Sequence, residues 1–205
     1  MTETVTCSIC NFRYVPSVPE DLASHRKRHE ETIHGIRAKA AITDRVVWLE
    51  GDFRITALCA LDSKVQRLRA QRVATLGKRE GGYDFPPFTA YEHFDERVTH
   101  VFLLYHKDRI IGFLVFSLRK DLGVLEWTDE TGETKDLDAK EPYWTVDFIW
   151  VLRKFRGKGL ARKLILVASE YFENPIEKIA WYPPFSKDCL ELAKKMYPEK
   201  VYIGV

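Results

Sequence analysis

The sequence has no apolar run of the ~18 residues that a membrane-spanning helix needs, so nothing in it is expected to cross a bilayer. It has little net charge: 32 Lys and Arg against 30 Asp and Glu give +2, too small a balance to imply nucleic acid as a partner. Cysteine is scarce. Of the four present, two form a C-x-x-C pair at Cys7 and Cys10, which argues for metal in a reducing compartment over a disulfide framework. The opening Met-Thr-Glu-Thr-Val-Thr lacks the basic and apolar regions of a secretory signal, so an intracellular location is expected. With 45% apolar and 30% charged residues the chain has the balance of a globular protein rather than a disordered one.

What is present begins with Val146-Asp-Phe-Ile-Trp-Val-Leu-Arg-Lys-Phe-Arg-Gly-Lys-Gly-Leu-Ala161. Val146, Phe148, Ile149, Trp150 and Val151 are β-branched or aromatic and nearly continuous, as in a strand buried on both faces. The chain then turns through Arg156-Gly157-Lys158-Gly159. Beyond it Leu160, Ala161, Leu164, Ile165, Ala168, Tyr171 and Phe172 fall on one stripe at helical spacing. A strand, a glycine-bearing turn and a helix start together present free backbone N–H groups at the positive end of a helix dipole, which is an anion site. Arg153, Lys154, Arg156, Lys158, Arg162 and Lys163 crowd this turn, with no acid among residues 148–168. Cations at a helix N-terminus cost about 0.3–1 kcal/mol each, and a multiply charged anion would offset that. The plain alternative is a basic surface turn. The run has neither the lysine-then-Ser/Thr of a P-loop nor the third glycine of a dinucleotide fingerprint.

Arg156-x-x-Gly159-x-Ala161 after a strand resembles the acetyl-CoA signature of the GCN5-related N-acetyltransferases (GNAT). The resemblance implies that the turn, Arg156, Gly157, Lys158, Gly159, Leu160 and Ala161, cradles the CoA pyrophosphate. It also implies that Ile149, Trp150 and Val151 bind the pantetheine arm, with the Ile149 and Val151 amides polarising the thioester carbonyl.

Residues 1–38 read as a separate unit ahead of a catalytic domain at 39–205. Cys7-x2-Cys10 followed by His25-x3-His29 sets two thiolates on a knuckle and two imidazoles one helical turn apart, enough to close a tetrahedral zinc site. His34 is an alternative second histidine; His29 is preferred because it shares a helical face with His25. Ser17-x-x-Glu20, with Pro19 between, reads as a capping box that starts the histidine helix. So short a segment needs the metal to hold its fold. Glu20, Asp21, Leu22, Ala23 and Ser24 occupy the positions from which a finger reads a DNA groove, and that surface is acidic and apolar. A structural or protein-docking finger, with weak or no nucleic-acid binding, is therefore expected.

Between these features the pattern predicts two strands over 45–60 joined near Gly51-Asp52. A basic helix capped by Asp62 or Ser63 runs to about Leu76 and is ended by Gly77 and Gly81-Gly82. A hairpin at 100–106 and 109–118 follows. An acidic stretch at 121–141 would suit an amine-bearing partner; the plain alternative is a solvated hairpin tip at Thr131-Gly132. A strand at 177–182, a helix at 186–197 and a closing strand at 200–205 complete an α+β fold with a mixed, mostly antiparallel sheet.

The finger sequence Cys7-Ser-Ile-Cys10-Asn-Phe-Arg-Tyr14, the Ile149-Trp150-Val151 run and Ile179-Ala180-Trp181 narrow the resemblance to the zinc-finger cohesin acetyltransferases, which establish sister-chromatid cohesion. That implies acetylation of an exposed lysine on a chromatin-associated protein, in the nucleus of a eukaryote or the cytoplasm of a prokaryote. Where that family carries a Ser-Asp-Pro-Thr-like run, this chain has Tyr182-Pro183-Pro184-Phe185-Ser186. A small-molecule amine acetyltransferase, or a non-catalytic zinc-finger adaptor, are the alternatives. For catalysis, an amine attacking the thioester must first lose a proton, and Asp147 on the strand is the candidate base; Glu126 or Asp188 could also serve. Tyr197 is the candidate acid for the sulfur leaving group, at a place where the family often has a tyrosine.

Overall fold

A computed structural model describes residues 3–38, 41–83, 88–90, 99–127, 135–137 (backbone only) and 141–204. In the finger, β1 (Val5–Thr6) and β2 (Arg13–Tyr14) pair antiparallel and lead into helix α1 (Pro19–His34). The expected capping box does not form. Val18 is the N-cap and makes no side-chain cap, Pro19 supplies the preset φ of a first turn, and Asp21 instead accepts from the Val15 amide at 3.0 Å.

The rest is built on one sheet. In chain order come β3 (Ile36–Arg37), β4 (Arg45–Glu50), β5 (Phe53–Cys59), helix α2 (Lys64–Gly81), β6 (Thr99–His106), β7 (Arg109–Arg119), β8 (Leu122–Glu126), β9 (Lys135–Leu137) and β10 (Tyr143–Val151). Helix α3 (Leu160–Tyr171), β11 (Ala180–Trp181), helix α4 (Lys187–Met196) and β12 (Lys200–Gly204) follow. The strand order is β4-β5-β6-β7-β10-β11-β12-β8-β9, with β3 added against the start of β7. Among the described residues only the β10–β11 and β11–β12 pairs are parallel, which gives the expected mixed, mostly antiparallel sheet. The Thr131-Gly132 tip and most of the acidic stretch lie outside the described residues.

Two local irregularities shape the molecule. The β10–β7 register shifts between Val146 and Phe148, so Asp147 is an extra residue that turns the strand over. Before it, Trp144 stacks on Phe172 at the end of α3, with ring centroids 3.7 Å apart. After it, Phe148 and Trp150 point to the other face, against α2. The second irregularity is Gly77, inside α2 rather than at its end. A Cβ there would meet Phe148 at 3.1 Å and Trp150 at 3.3 Å, so the missing side chain lets helix and strand approach. Helix α2 runs on to Gly81 and ends at Gly82 in the left-handed region, while Ser63 caps its start in a full capping box.

The core is continuous across β6, β7 and β10, where Phe102, Leu104, Ile111, Phe113 and Phe116 are fully buried. Leu164, Ile165 and Ala168 of α3 close one face, and Ala70, Val73 and Ala74 of α2 the other. The strand expected at 177–182 is shorter: Ile176–Lys178 form a 3-10 turn and only Ala180 and Trp181 pair. Among the described residues no helix is long and apolar enough to cross a membrane.

Candidate active site and metal centre

The parallel pairing of β10 with β11 is brief. Thr145 lies opposite Ala180 and Val146 opposite Trp181, with one further bond from the Tyr182 amide to the Val146 carbonyl at 2.9 Å. Past that point the strands part, and Phe148–Val151 pair with β7 alone. The Leu152 amide donates to the Ile111 carbonyl at 2.8 Å. Alternation along an antiparallel ladder then directs the backbone groups of Phe148 and Trp150 to β7 and those of Ile149 and Val151 to the open edge. The Val151 carbonyl accepts there from Arg156 Nε at 2.8 Å.

This open edge forms one wall of a cavity of about 790 Å³. Gly77, Glu80, Gly81 and Tyr83 of α2 and its C-terminal end form the second wall, and Ser186, Asp188, Cys189 and Leu192 of α4 the third. The turn closes the end. Gly157 and Gly159 have φ of +73° and +74°, values that an L side chain rarely adopts. Helix α3 starts directly after Gly159, its first internal bond being Lys163 N–H to the Gly159 carbonyl at 2.9 Å. The amides of Leu160, Ala161 and Arg162 therefore have no acceptor within the helix, and all three residues line the cavity. Ile149, Trp150, Val151, Arg156, Gly157, Gly159, Leu160 and Ala161 are all brought to it; Lys158 is not, its ammonium lying over the Phe155 ring at 5.3 Å.

The basic turn is less uncompensated than its own sequence indicates, because acids arrive from elsewhere in the chain. Glu80 pairs with Arg153 and Arg156, each at 2.8 Å, and Asp188 reaches Arg156 at 3.4 Å. Lys163 lies near Glu50 at 3.9 Å. Among the described residues no acid pairs with Lys158 or Arg162, and Arg162 is the one of the two that lines the cavity. Burial pushes the Cys189 thiol up, so it is neutral in the cavity wall. Sequence reasoning missed Glu80, Tyr83 and Cys189 as cavity residues; Arg162, three residues past Gly159 in the first turn of its helix, was already among the cations it placed at the turn.

The two candidate catalytic residues lie elsewhere. The bulge aims Asp147 along the sheet, where it accepts from Ser117 Oγ at 2.5 Å and from Arg119 Nε at 2.8 Å. The Tyr197 hydroxyl donates to the Ile176 carbonyl at 3.0 Å, its ring is edge-on to Trp181, and burial pushes its pKa up to about 12. Neither residue lines the cavity.

In the finger, the ligand atoms of Cys7, Cys10, His25 and His29 all lie within 4.8 Å of one another. Cys7 Sγ is 3.3 Å from His29 Nδ1. Tetrahedral zinc with these ligands separates them by roughly 3.5 Å, so the cluster fits a closed structural site. Both ring nitrogens of His25 are buried with no hydrogen-bond partner, an orphaning that a metal bond would relieve. Tyr14 stacks on the His25 ring at 4.0 Å and orients it. The Cys10 backbone N–H above all holds the Cys7 thiol down to about 5, near the thiolate form that zinc takes. Burial pushes Cys10 up, so metal must displace its proton. His34 stands apart, its Nδ1 3.2 Å from Lys154 Nζ.

A splayed strand, an unsatisfied helix N-terminus beyond two left-handed glycines and a long cavity between them define an acyltransferase that uses a phosphate-bearing thioester donor. The chain belongs to the Acetyltransferase (GNAT) family, whose model matches residues 66–197, so it is an N-acetyltransferase and acetyl-CoA is its donor. Residues 1–31 match the zinc-finger of acetyl-transferase ESCO. Two structures of the xEco2 acetyltransferase domain share the fold at 18% identity. The one bound to a K105-CoA conjugate has a TM-score of 0.65, with 79% of this chain and 98% of that chain covered. The other has a TM-score of 0.63, covering 81% and 98%. A search of curated proteins gives no match.

Proposed function

We propose that the protein acetylates the ε-amine of a lysine on a protein, in the manner of the cohesin acetyltransferases. The observation that carries this reading is the coupling, in one chain, of an ESCO-type finger to a GNAT domain. A finger of this kind is not needed to bind a small amine. Its acidic first turn, with Glu20 and Asp21, favours protein over nucleic acid as what it meets. The finger unit is taken as residues 1–38 and the catalytic domain as 39–205. In this reading the partner is chromatin-associated and the enzyme works in the nucleus of a eukaryote, or in the cytoplasm of a prokaryote.

The donor lies along the open edge of β10, with its pyrophosphate on the amides of Leu160, Ala161 and Arg162 and the Arg162 guanidinium beside it. An amide of Ile149 or Val151, directed to that edge, polarises the thioester carbonyl. The neutral amine attacks the carbonyl carbon, the C–S bond breaks, the amine nitrogen gives up a proton and CoA leaves as the thiolate, which takes a proton from solvent. We assign the amine's proton, passed through one intervening water, to Asp147, which Ser117 and Arg119 fix at the bulge outside the cavity wall. Tyr197, with its hydroxyl committed to Ile176, receives no role.

The test is free-thiol release from acetyl-CoA by the zinc-loaded protein with basic peptides and, separately, with polyamines. Peptide-dependent release supports the proposal. Turnover on polyamines alone makes it a small-molecule acetyltransferase, and saturable binding without release favours the adaptor. Asp147→Asn should lower kcat by about a hundredfold or more if Asp147 takes the proton; a change of less than about threefold removes it from the mechanism.

A further inference from the structure

Among the described residues, Glu80 is the one carboxylate in the cavity wall that reaches three partners at once. Its side chain is 10% exposed. Oε2 accepts from the Trp150 indole N–H at 2.9 Å, and Oε1 accepts from Arg153 Nε and Arg156 Nη2, each at 2.8 Å. Those donors sit on three consecutive pieces of the donor site: the open strand, the 3-10 turn at Arg153–Phe155, and the turn before α3. One side chain from a distant helix thus bridges the strand and the loop that face the donor.

The approach is built in one helical turn earlier. Gly77, three residues before Glu80 and on the same side of α2, carries no Cβ to push Phe148 and Trp150 away. Glu80 therefore arrives over the strand at hydrogen-bonding distance. Arg156 extends the chain of contacts, since its Nε donates to the Val151 carbonyl while its Nη2 holds Glu80. Glu80, Arg156 and Val151 form a fixed arm from α2 to the edge of β10. Only the Glu80 end is desolvated, Arg153 being 77% and Arg156 38% exposed, so the arm rests on the part-buried Trp150 bond and the Arg156 fork more than on the solvent-screened Arg153 pair.

We propose that Glu80 is a positioning residue of the donor site: through Trp150 and Arg156 it holds the open edge of β10 and the amide turn in the relative placement that acetyl-CoA requires. This rests on the donor-site reading above. Glu80 touches neither the acetyl group nor the amine in this assignment, so its loss should appear in donor binding and not in the chemical step.

The experiment uses the full zinc-loaded chain and acetyl-CoA as the probe. Wild-type binding, measured first by calorimetry, tests the donor site itself; no binding there would sink that reading and this one with it, whereas wild-type binding that the variants leave unchanged would sink this one alone. Glu80→Gln should then raise the dissociation constant and the KM for acetyl-CoA about tenfold or more, with kcat at saturation and the KM of the acceptor within about threefold. Arg156→Gln should show a similar loss, and the double variant should be no weaker than Arg156→Gln alone, because both changes break one arm. Wild-type affinity in Glu80→Gln, additive losses, or a fall confined to kcat would overturn the proposal. So would tighter binding, which would make Glu80 a competitor of the phosphates for Arg153 and Arg156. Should Glu80→Gln not fold, Arg156→Lys replaces it, keeping the charge but losing the fork that spans Glu80 and Val151. Weaker donor binding with an unchanged acceptor KM supports the arm, and wild-type affinity overturns it.

Discussion

Arg156 Nε and the Val151 carbonyl are joined at 2.8 Å, so the last residue of the open strand is tied to the turn five residues later. That bond fixes the corner at which the strand edge and the helix N-terminus converge on the cavity.

Gly159 stands at this corner with φ of +74° and open space where a Cβ would project. A side chain there meets no clash but must leave the left-handed region or bear its cost, about 1–2 kcal/mol and more for a β-branched residue. Gly159→Val should weaken acetyl-CoA binding by about tenfold or more, read by calorimetry. Unchanged affinity would remove the turn from the donor site.

Tyr197→Phe should cost about 0.5–1.5 kcal/mol of stability in denaturant unfolding, because the half-buried Ile176 carbonyl loses its donor. With its pKa pushed up to about 12 by burial, the hydroxyl stays protonated over the working pH range. We expect kcat to hold within about threefold. A hundredfold fall would restore the acid role that the sequence suggested.

Removing zinc should unmake the finger. The His25 nitrogens have no other partner, and the four ligands are the cross-link between the knuckle and α1. Chelation should release about one zinc per chain, speed amide exchange over residues 5–34 and lower the melting temperature. A finger as protected without metal as with it would sink the zinc assignment.

His100 sits among Trp144, Tyr171 and Phe172, and burial, then the charge of Arg45, lowers its pKa, with Asp62 opposing. The folded state therefore takes up its proton less readily than the unfolded chain, whose histidine titrates near 6.5. Its contribution is present above that pH and is lost as pH falls through the folded value. Comparing denaturant stability at pH 7.5 and 5.5, His100→Phe should lose less on acidification than the wild type. An equal loss in both would show that carboxylates alone set the acid limit.

What the sequence made legible was local. Ligand spacing in the finger and glycine spacing in the turn are set over a few residues, and Cys7, Cys10, His25, His29, Gly157 and Gly159 are brought together accordingly. Long-range placement was not legible. Gly77 reads as a stop because glycine often ends helices, whereas here it serves a close approach that only the fold creates. Glu80 sits some 70 positions from the cations it meets, 73 from Arg153 and 76 from Arg156, so a window around the turn finds no acid. The bulge at Asp147 depends on β7, and the direction of Tyr197 on Ile176; neither leaves a periodic trace in the sequence.

The short strand β3 has a practical consequence for genetics. Ile36, two residues past α1, is fully buried and pairs with Ile110 at the start of β7, and the Ala38 amide bonds to the Asp108 carbonyl. Clipping the chain after the finger's nominal boundary at residue 38 would pull a plug out of the enzyme as well as delete its metal. A truncation phenotype would then confound two lesions, and substitutions at Cys10 or His29 are the cleaner knock-out.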